Sequence, residues 1–249
     1  MLQIDLKGKR ALIAGGSRGI GLGIAQCFAQ AGADVSICAR SPGSLDAAKM
    51  TLSQYGGRVM TTACDLGDAQ AIKSWVNASA TELGGVDILV NNASAFGRQD
   101  NEEDWAASVQ IDLMAAVRAS AAALPFLEKQ GGNIIHISSI SGLKATVRSV
   151  PYGAIKAAMM EYTQTQALSY AKKNIRVNCI APGSVFFEGG NWDKVKRDNP
   201  KLYEATLAKI PFGRYGKPEE IGHVVAFLVS DLGSWVTGQT IVVDGGQTL

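Results

Sequence analysis

Short apolar runs alternate with longer helical patterns along nearly the whole chain, from Arg10 to Val243. This alternation is typical of βαβ units wound around a parallel sheet. Most runs are unbroken Val, Ile and Leu, as expected for strands that helices cover on both faces. The sequence therefore predicts an α/β fold, a single doubly wound Rossmann domain over residues 1–249 with a mostly parallel seven-stranded sheet and helices on both faces. The predicted strands are residues 10–14, 34–39, 58–63, 87–91, 133–138, 176–180 and 240–243.

Helices are predicted between these strands, at residues 19–31, 45–55, 69–83, 102–124, 151–171 and 219–229. One segment departs from the rhythm: residues 186–216 combine Gly189-Gly190, Pro200 and Pro211 with amphipathic pieces. We call this segment the 186–216 excursion. Ligands of doubly wound folds bind at the carboxyl ends of the strands, so an excursion beyond the sixth strand is predicted to be a substrate lid. A plain surface loop is the alternative.

The charge distribution argues against nucleic acid as a partner. Lys and Arg total 24 against 22 Asp and Glu, a formal net charge of +2 that is scattered along the chain, so no basic footprint is visible. Charged residues make up only 18 % of the chain, below the roughly 25 % of an average soluble domain. We therefore expect a large core or a buried subunit contact.

The cysteines and the N-terminal segment indicate a cytoplasmic protein. Cys27, Cys38, Cys64 and Cys179 have neither CxxC spacing nor the density of a disulfide-stapled secreted domain, so we expect them to be reduced and buried. Asp5 lies where a signal peptide would have its apolar core, and no later run reaches 18 uncharged apolar residues. We also expect no metal, because no cluster of His, Cys, Asp and Glu has metal-ligand spacing.

A glycine-rich turn follows the first predicted strand directly and leads into a helix. It has the sequence Gly15-Gly16-Ser17-Arg18-Gly19-Ile20-Gly21. Glycines let the backbone approach a diphosphate closely, and the N–H groups and dipole at the helix start stabilise its charge. The spacing GxxxGxG without a following GK[ST] excludes a P-loop nucleotide triphosphatase. A dinucleotide site is predicted, with a tight turn that binds nothing as the alternative.

The end of the second predicted strand favours NADP(H) over NAD(H). An Asp or Glu normally binds a free ribose 2′-hydroxyl at this edge, whereas an Arg binds a 2′-phosphate. Here the strand ends in Arg40, and Asp34 lies at the other end of the strand, away from the site. Arg40 and Arg18 could bind a 2′-phosphate through charge-assisted hydrogen bonds. The alternative is that both are solvated surface charges.

Three residues form a candidate catalytic group. Tyr152 and Lys156 lie four residues apart in a helical pattern, so their side chains share a face. A neighbouring ammonium favours a phenolate, so we expect Lys156 to lower the pKa of Tyr152. Ser139, at the carboxyl end of the fifth predicted strand, would hydrogen-bond the substrate oxygen. The Tyr-Lys spacing alone is weak evidence, but chance would rarely combine it with this serine and the glycine turn.

The sequence resembles the classical short-chain dehydrogenase/reductase family over essentially its whole length, with the look of 3-oxoacyl-thioester reductases. The resemblance implies that Tyr152 is the general acid/base, that Ser139 orients the carbonyl or alcohol, and that Lys156 holds the nicotinamide ribose. It also implies that Asp65 contacts the adenine, Asn91 lies beside the adenosine ribose and Pro182-Gly183 borders the nicotinamide. The matching stretches are Gly15–Gly21, Asp65-Leu66, Asn91-Asn92-Ala93-Ser94, Ser139 with Tyr152 and Lys156, 178–183 and 238–246. The implied cofactor site comprises Gly15, Ser17, Arg18, Gly19, Ile20, Gly21, Arg40, Asp65, Leu66, Asn91, Ala93, Tyr152, Lys156, Pro182 and Gly183.

Four positions depart from the family pattern. Ala14 replaces a Thr that helps tie the glycine turn to a neighbouring strand, and Ser94 replaces a Gly near the cofactor. Phe186-Phe187 stands where a Thr commonly helps hold the carboxamide, and Ser184 is a candidate substitute.

The fourth departure is Asp112, which occupies the position of a helix Asn whose main-chain carbonyl serves a proton relay in relatives. The main-chain carbonyl is unchanged when Asn is replaced by Asp, so we expect the proton relay to persist. A carboxylate would add charge if it faced the site. We therefore count Asp112 among the candidate catalytic residues.

These observations favour an NADP(H)-dependent oxidoreductase that converts a carbonyl to an alcohol or the reverse, with a small-molecule substrate such as a 3-oxoacyl thioester. An alcohol, sugar or steroid dehydrogenase working oxidatively, and a catalytically silent dinucleotide sensor, remain as alternatives. Low charge content and apolar-faced helices suggest subunit contacts, and the resemblance implies a homotetramer or dimer. His136 alternates with Ile135 and Ile137 in a predicted strand, so we expect a hydrogen-bonded core histidine rather than a catalytic base.

Overall fold

The computed structural model describes residues 3–249. Its seven strands form one parallel sheet in the order β3-β2-β1-β4-β5-β6-β7. Helices lie on both faces of this sheet, so the predicted doubly wound Rossmann fold is confirmed. The strands are β1 Arg10–Ala14, β2 Asp34–Ala39, β3 Val59–Ala63, β4 Ile88–Asn91, β5 Gly132–Ile137, β6 Ile175–Pro182 and β7 Thr240–Val243.

Alternate residues of the central strands feed two cores, one on each side of the sheet. In β1, Ile13 joins the core that contains Phe28, while Leu12 joins the core that contains Trp75. This alternation follows from the two-residue period of a strand. β6 runs two residues past its predicted end at residue 180, because Ala181 and Pro182 still pair with Val242 and Val243 of β7.

The helices connect the strands largely as predicted. They are α1 Gly19–Gln30, α2 Pro42–Leu52, α3 Ala69–Leu83, α4 Glu102–Ser108, α5 Ala115–Leu127, α6 Val150–Tyr170, α7 Asn191–Asp198, α8 Pro200–Leu207 and α9 Pro218–Val229. α2 begins three residues before the predicted start at residue 45, because Pro42 fits the first turn of a helix. All four cysteines are free and buried, as expected.

The predicted helix 102–124 is longer and contains an irregular turn. α4 continues through a π-helical segment, Val109–Met114, into α5. By length and composition alone, Glu102–Leu127 could cross a membrane. In this fold its Ala115 and Ala119 lie in the core beside the sheet. The π-helical segment carries Asp112, which is buried.

Helices α1 and α9 cross at close range through two glycines. A Cβ on Gly23 would lie 2.7 Å from the Cβ and carbonyl carbon of Pro218. A Cβ on Gly222 would lie 2.6 Å from the Cys27 sulfur and 2.8 Å from the Gly23 carbonyl oxygen. Neither glycine could be replaced without separating the helices.

The 186–216 excursion contains α7 and α8 and lies between β6 and α9. Val185 and Gly216 form an isolated parallel bridge that closes its base. Inside it, the Tyr203 and Tyr215 rings stack with centroids 4.5 Å apart, and Trp192 packs on Tyr215 at 5.1 Å. Rings rather than regular strand pairing therefore hold this segment together.

Candidate active site

A crevice opens at the carboxyl ends of β1 and β4. β1 lies between β2 and β4, so the chain leaves β1 towards one side of the sheet and returns to β4 on the other. Ligands of doubly wound folds bind at this change of direction. The glycine turn follows β1 at this crevice, and Ser139 follows β5 at the same edge of the sheet.

The glycine turn is held in a shape that requires glycine. Gly15 and Gly19 have φ angles of +76° and +54°, where a side chain is disfavoured. The N–H groups of Gly15 and Gly16 donate to the Cys38 carbonyl at 3.0 and 3.2 Å. The Asn92 side-chain amide donates to the Gly15 carbonyl at 2.9 Å. These contacts tie the turn to β2 and β4, although Ala14 has no hydroxyl like that of the Thr it replaces.

The geometry of the turn fits a dinucleotide diphosphate. α1 begins without a side-chain cap within residues 3–249, so its first N–H groups are free for an anion. A Cβ on Gly21 would collide with the Gly15 carbonyl oxygen, so the tight turn cannot accept a larger residue. Gly19 lies under the phenyl ring of Phe187, a contact that the sequence did not indicate.

The residues predicted for the adenosine half of a cofactor line one edge of the sheet. Arg18 and Arg40 are both exposed, and neither forms a salt bridge within the described part of the chain. Asp34 is paired with Arg58 at 2.7 Å, away from this edge as predicted. Asp65 accepts the Gly67 N–H at 2.9 Å and so shapes the turn after β3.

The side chain of Asn91 points into the sheet rather than into the crevice. Its amide contacts the Ser120 hydroxyl and His136 Nδ1, both at 3.2 Å. At the crevice, Asn91 therefore offers its backbone. Leu66 and Pro182 are buried, whereas Ala93 and Gly183 are partly exposed.

Ser139, Tyr152 and Lys156 come together at the crevice. Tyr152 and Lys156 lie one turn apart in α6, and Lys156 Nζ is 5.4 Å from the centroid of the Tyr152 ring. The neighbouring Ser138 is excluded from this group, because its hydroxyl donates to the Lys156 carbonyl at 2.6 Å. The Ser139 oxygen accepts the Ser141 N–H at 3.1 Å, and its hydroxyl lies within hydrogen-bonding reach of the Tyr152 phenol.

Asp112 faces this group directly. Its Oδ1 lies 3.2 Å from Lys156 Nζ, and its Oδ2 accepts the Ala95 N–H at 2.9 Å. Lys156 Nζ also donates to the Ile137 carbonyl at 3.0 Å. Both charged side chains are almost completely buried, so a charged carboxylate partly neutralises the ammonium beside the phenol. The side chain of Asp112 therefore contacts Lys156 itself, beyond the backbone role expected from the resemblance.

Lys156 lowers the pKa of Tyr152 as expected, but the net shift of that pKa is upward. Burial raises the pKa of the Tyr152 phenol above its ordinary value of 10.0, and this outweighs the lowering by Lys156 and by hydrogen bonding with Ser139. The Asp112 carboxylate raises the pKa further. Sequence spacing shows the ammonium but not the burial, and burial dominates here. In the free protein the phenol is a proton donor at neutral pH.

The loop after β4 places an aromatic side chain, Phe96, against the catalytic group, a contact that no sequence pattern indicates. Phe96 has a φ angle of +58°, which is rare for a bulky residue and often marks a functional site. Its N–H donates to the Ser94 hydroxyl at 3.0 Å, so Ser94 shapes this loop. The Phe96 ring packs on the Tyr152 ring with centroids 4.6 Å apart. The Arg98 guanidinium lies 5.1 Å from the Phe96 ring and hydrogen-bonds Asn191 at the start of α7.

Ser184, the candidate substitute for the missing Thr, contacts the C-terminal segment. Its N–H donates to the Gln247 side-chain oxygen at 2.9 Å, and its hydroxyl accepts from the Gln247 amide at 3.1 Å. Gln247 therefore holds Ser184 through two hydrogen bonds, in which the Ser184 hydroxyl only accepts. Phe186 instead joins the rings of the 186–216 excursion, with its centroid 6.4 Å from that of Tyr203.

His136 is a core histidine, as predicted. It is fully buried in β5 between the Asn91 amide, 3.2 Å from Nδ1, and the Gln166 side-chain oxygen, 2.8 Å from Nε2. Burial lowers the pKa of His136 to about 4, and the Lys156 charge acts in the same direction. The ring is neutral, so Nε2 carries the proton and Nδ1 accepts.

Comparison with known proteins agrees with this geometry. The family described as enoyl-(acyl carrier protein) reductase matches residues 14–248. The isoepoxydon dehydrogenase patN of Penicillium expansum is 38 % identical over 252 residues, covering 99 % of this chain and 97 % of that protein. The 3-oxoacyl-[acyl-carrier-protein] reductase FabG of Chlamydia trachomatis is 36 % identical over 248 residues, covering 97 % and 98 %.

Solved structures agree over the same length. A 7α-hydroxysteroid dehydrogenase complexed with NADH and 7-oxo glycochenodeoxycholic acid superposes with a TM-score of 0.92 at 31 % identity, covering 99 % of this chain and 98 % of that one. A short-chain dehydrogenase from Burkholderia cenocepacia in complex with NADP superposes with a TM-score of 0.90 at 32 % identity, covering 98 % and 99 %.

Proposed function

Because this chain belongs to the classical short-chain dehydrogenase/reductase family, we propose that it is an NADP(H)-dependent oxidoreductase that reduces a carbonyl to an alcohol. The observation that carries the proposal is the meeting of Ser139, Tyr152 and Lys156 beside the glycine turn. A protein that only bound a dinucleotide would have no need for a proton-transfer group at this place.

The residues of the site divide the work of the reaction. When bound, the nicotinamide cofactor supplies or accepts the hydride. Ser139 donates a hydrogen bond to the substrate oxygen and so polarises the carbonyl. Tyr152 donates a proton to that oxygen in reduction, and its phenolate removes the proton in oxidation. The raised pKa of Tyr152 favours the proton-donor role at neutral pH.

Lys156 holds its ammonium in place beside the phenol. The Ile137 carbonyl and the Asp112 carboxylate fix Nζ from two sides. The ammonium stabilises the phenolate that forms when Tyr152 gives up its proton. The Asp112 carboxylate limits that stabilisation. Lys156 and Asp112 together therefore set how readily the Tyr152 phenol gives up its proton.

The preference for NADP(H) rests on Arg18 and Arg40. Both guanidinium groups are exposed and unpaired by carboxylates within residues 3–249. No carboxylate competes at the end of β2, because Asp34 is bound to Arg58. The Burkholderia cenocepacia structure contains NADP, whereas the hydroxysteroid dehydrogenase contains NADH, so both cofactors occur among similar proteins, and the two arginines favour NADP(H) for this chain.

A 3-oxoacyl thioester is the candidate substrate, supported by the relatives named 3-oxoacyl-[acyl-carrier-protein] reductase. The 186–216 excursion would cover it as a lid within a single domain, since its aromatic rings lie beyond the carboxyl end of β6. An oxidative role on an alcohol, sugar or steroid is the second candidate. The relatives named glucose 1-dehydrogenase 2 and isoepoxydon dehydrogenase favour it.

The test compares NADPH consumption with ketones and acyl thioesters, and NADP⁺ reduction with alcohols, sugars and hydroxysteroids. The Tyr152→Phe variant should lose activity about a hundredfold or more, the usual contribution of a positioned acid. Tyr170→Phe, on the same helix but outside the site, is the matched control. Turnover that survives Tyr152→Phe, or the lack of turnover in every protein, would contradict the proposal.

A homotetramer or dimer in the cytoplasm completes the proposal. Trp235, Leu168 and Val242 are 99 %, 84 % and 40 % exposed, and exposed large apolar side chains such as these support a subunit contact. β7 is also an edge strand. Light scattering of the purified protein measures the mass; a monomer at micromolar concentration would contradict the assembly.

A further inference from the structure

The phenyl ring of Phe187 covers the start of α1. A Cβ on Gly19 would lie 2.6 and 2.8 Å from the ring atoms Cε1 and Cε2 of Phe187. A Cβ on Gly190 would lie 2.8 Å from Cε2 and Cζ of the same ring. The outer edge of the ring is therefore held between two glycines, one in the glycine turn and one directly before α7.

The ring lies where a side chain at Gly19 would be. A glycine in this kind of turn lets a diphosphate approach the backbone, because no side chain stands in the way. At Gly19 the Phe187 ring takes that space. The uncapped N–H groups at the start of α1 lie beside it, so the ring is next to the groups that would bind a diphosphate.

A continuous set of contacts joins this ring to the catalytic phenol. The Gly190 N–H donates to the Phe187 carbonyl at 3.0 Å. The next residue, Asn191, accepts a hydrogen bond from Arg98. Arg98 stacks on Phe96, and Phe96 packs on Tyr152. Phe187 therefore lies at one end of a path that runs through the base of α7 to the active site.

On the basis of the dinucleotide cofactor proposed above, we infer that Phe187 is a residue that sets cofactor affinity. In the free protein its ring occupies the diphosphate-binding position at Gly19, and the diphosphate of the bound cofactor displaces the ring. Displacement also removes the ring from Gly190 and frees the first turn of α7. The cofactor diphosphate thus releases the base of the excursion.

The test measures binding to the purified full-length chain by titration calorimetry with two probes. NADPH contains the diphosphate, whereas 2′-AMP carries only the adenosine and the 2′-phosphate. In Phe187→Ala, NADPH should bind about tenfold more tightly than in the wild type, which corresponds to about 1.4 kcal/mol. The affinity for 2′-AMP should stay the same. Phe212→Ala is the matched control, because Phe212 lies in the same excursion and is 72 % exposed.

Three results would overturn this inference. Equal or weaker NADPH binding in Phe187→Ala would show that the ring does not compete with the cofactor. A matching gain for 2′-AMP would show that the effect does not lie at the diphosphate. If neither the wild type nor the variant binds NADPH or 2′-AMP, the proposed cofactor itself falls, and this inference with it.

Hydrogen exchange gives an independent readout in the same proteins. Addition of NADPH to the wild type should increase amide exchange in residues 188–193. Phe187→Ala should show that increase without NADPH. Unchanged exchange in both experiments would contradict the release of α7, even if the affinities changed as expected.

Discussion

Replacement of Asp112 by Asn should make the Tyr152 phenol more acidic. The Asp112 carboxylate raises the pKa of Tyr152, because a negative charge nearby disfavours the phenolate. Asn has nearly the same shape, and its side-chain oxygen can still accept the Ala95 N–H that Asp112 Oδ2 binds at 2.9 Å. The substitution therefore removes the charge while it leaves the π-helical segment in place.

The structure bounds the size of this effect. Lys156 Nζ lies 3.2 Å from Asp112 Oδ1 and 5.4 Å from the Tyr152 ring centroid, so the carboxylate is within about 9 Å of the phenol ring. Two unit charges about 9 Å apart interact by about 1.8 kcal/mol at an effective dielectric constant of about 20. At 1.36 kcal/mol per pKa unit, this moves the titration by about one pH unit.

The assay is the pH dependence of kcat/KM in the oxidative direction, in which the phenolate acts as the base. The acid limb of the profile should move to lower pH by about one unit in Asp112→Asn. Glu103→Gln removes an exposed charge from the same helix and should leave the limb unchanged. An unmoved limb in Asp112→Asn, or a limb at higher pH, would refute the argument that this carboxylate acts on the phenol.

Two further predictions concern the cofactor and the core. Arg40→Ala should raise the KM for NADPH about tenfold or more and leave the KM for NADH unchanged, because a charge-assisted hydrogen bond contributes about 1.5–3 kcal/mol; equal effects on both cofactors would argue against 2′-phosphate binding. His136 has a pKa of about 4 in the fold against 6.5 ordinarily, so the unfolded chain takes up the proton first and stability is lost as the pH falls from 6.5 towards 4. Urea unfolding at pH 7 and pH 5 should show a loss of about 2 kcal/mol from this group, and an equal loss in His136→Asn would contradict it.

Most of the fold could be predicted from the sequence, because each parallel strand is a short apolar run with helices between. The sequence also predicts that Ser139, Tyr152 and the glycine turn lie at the same edge of the sheet, since the carboxyl ends of parallel strands meet there. These inferences need only local patterns and the direction of the chain.

Other features could not be predicted in this way. The contact between Phe187 and Gly19 joins two residues that are far apart in the chain, and its existence depends on the direction of one side chain. The pKa of Tyr152 depends on burial by neighbours from several elements. The charge of Asp112 was visible in the sequence, but its contact with Lys156 required the inward turn of the π-helical segment.

The start of the excursion and the start of α9, which follows it, both contact α1, one turn apart. Phe187 lies on Gly19 at the front, and Pro218 lies on Gly23 behind it. Residues four apart share a face of a helix, so one face of α1 supports both contacts. We expect that the length and the aromatic residues of the chain between Phe187 and Pro218 can be changed to accept new substrates. The sheet and the proton-transfer residues should then stay in place.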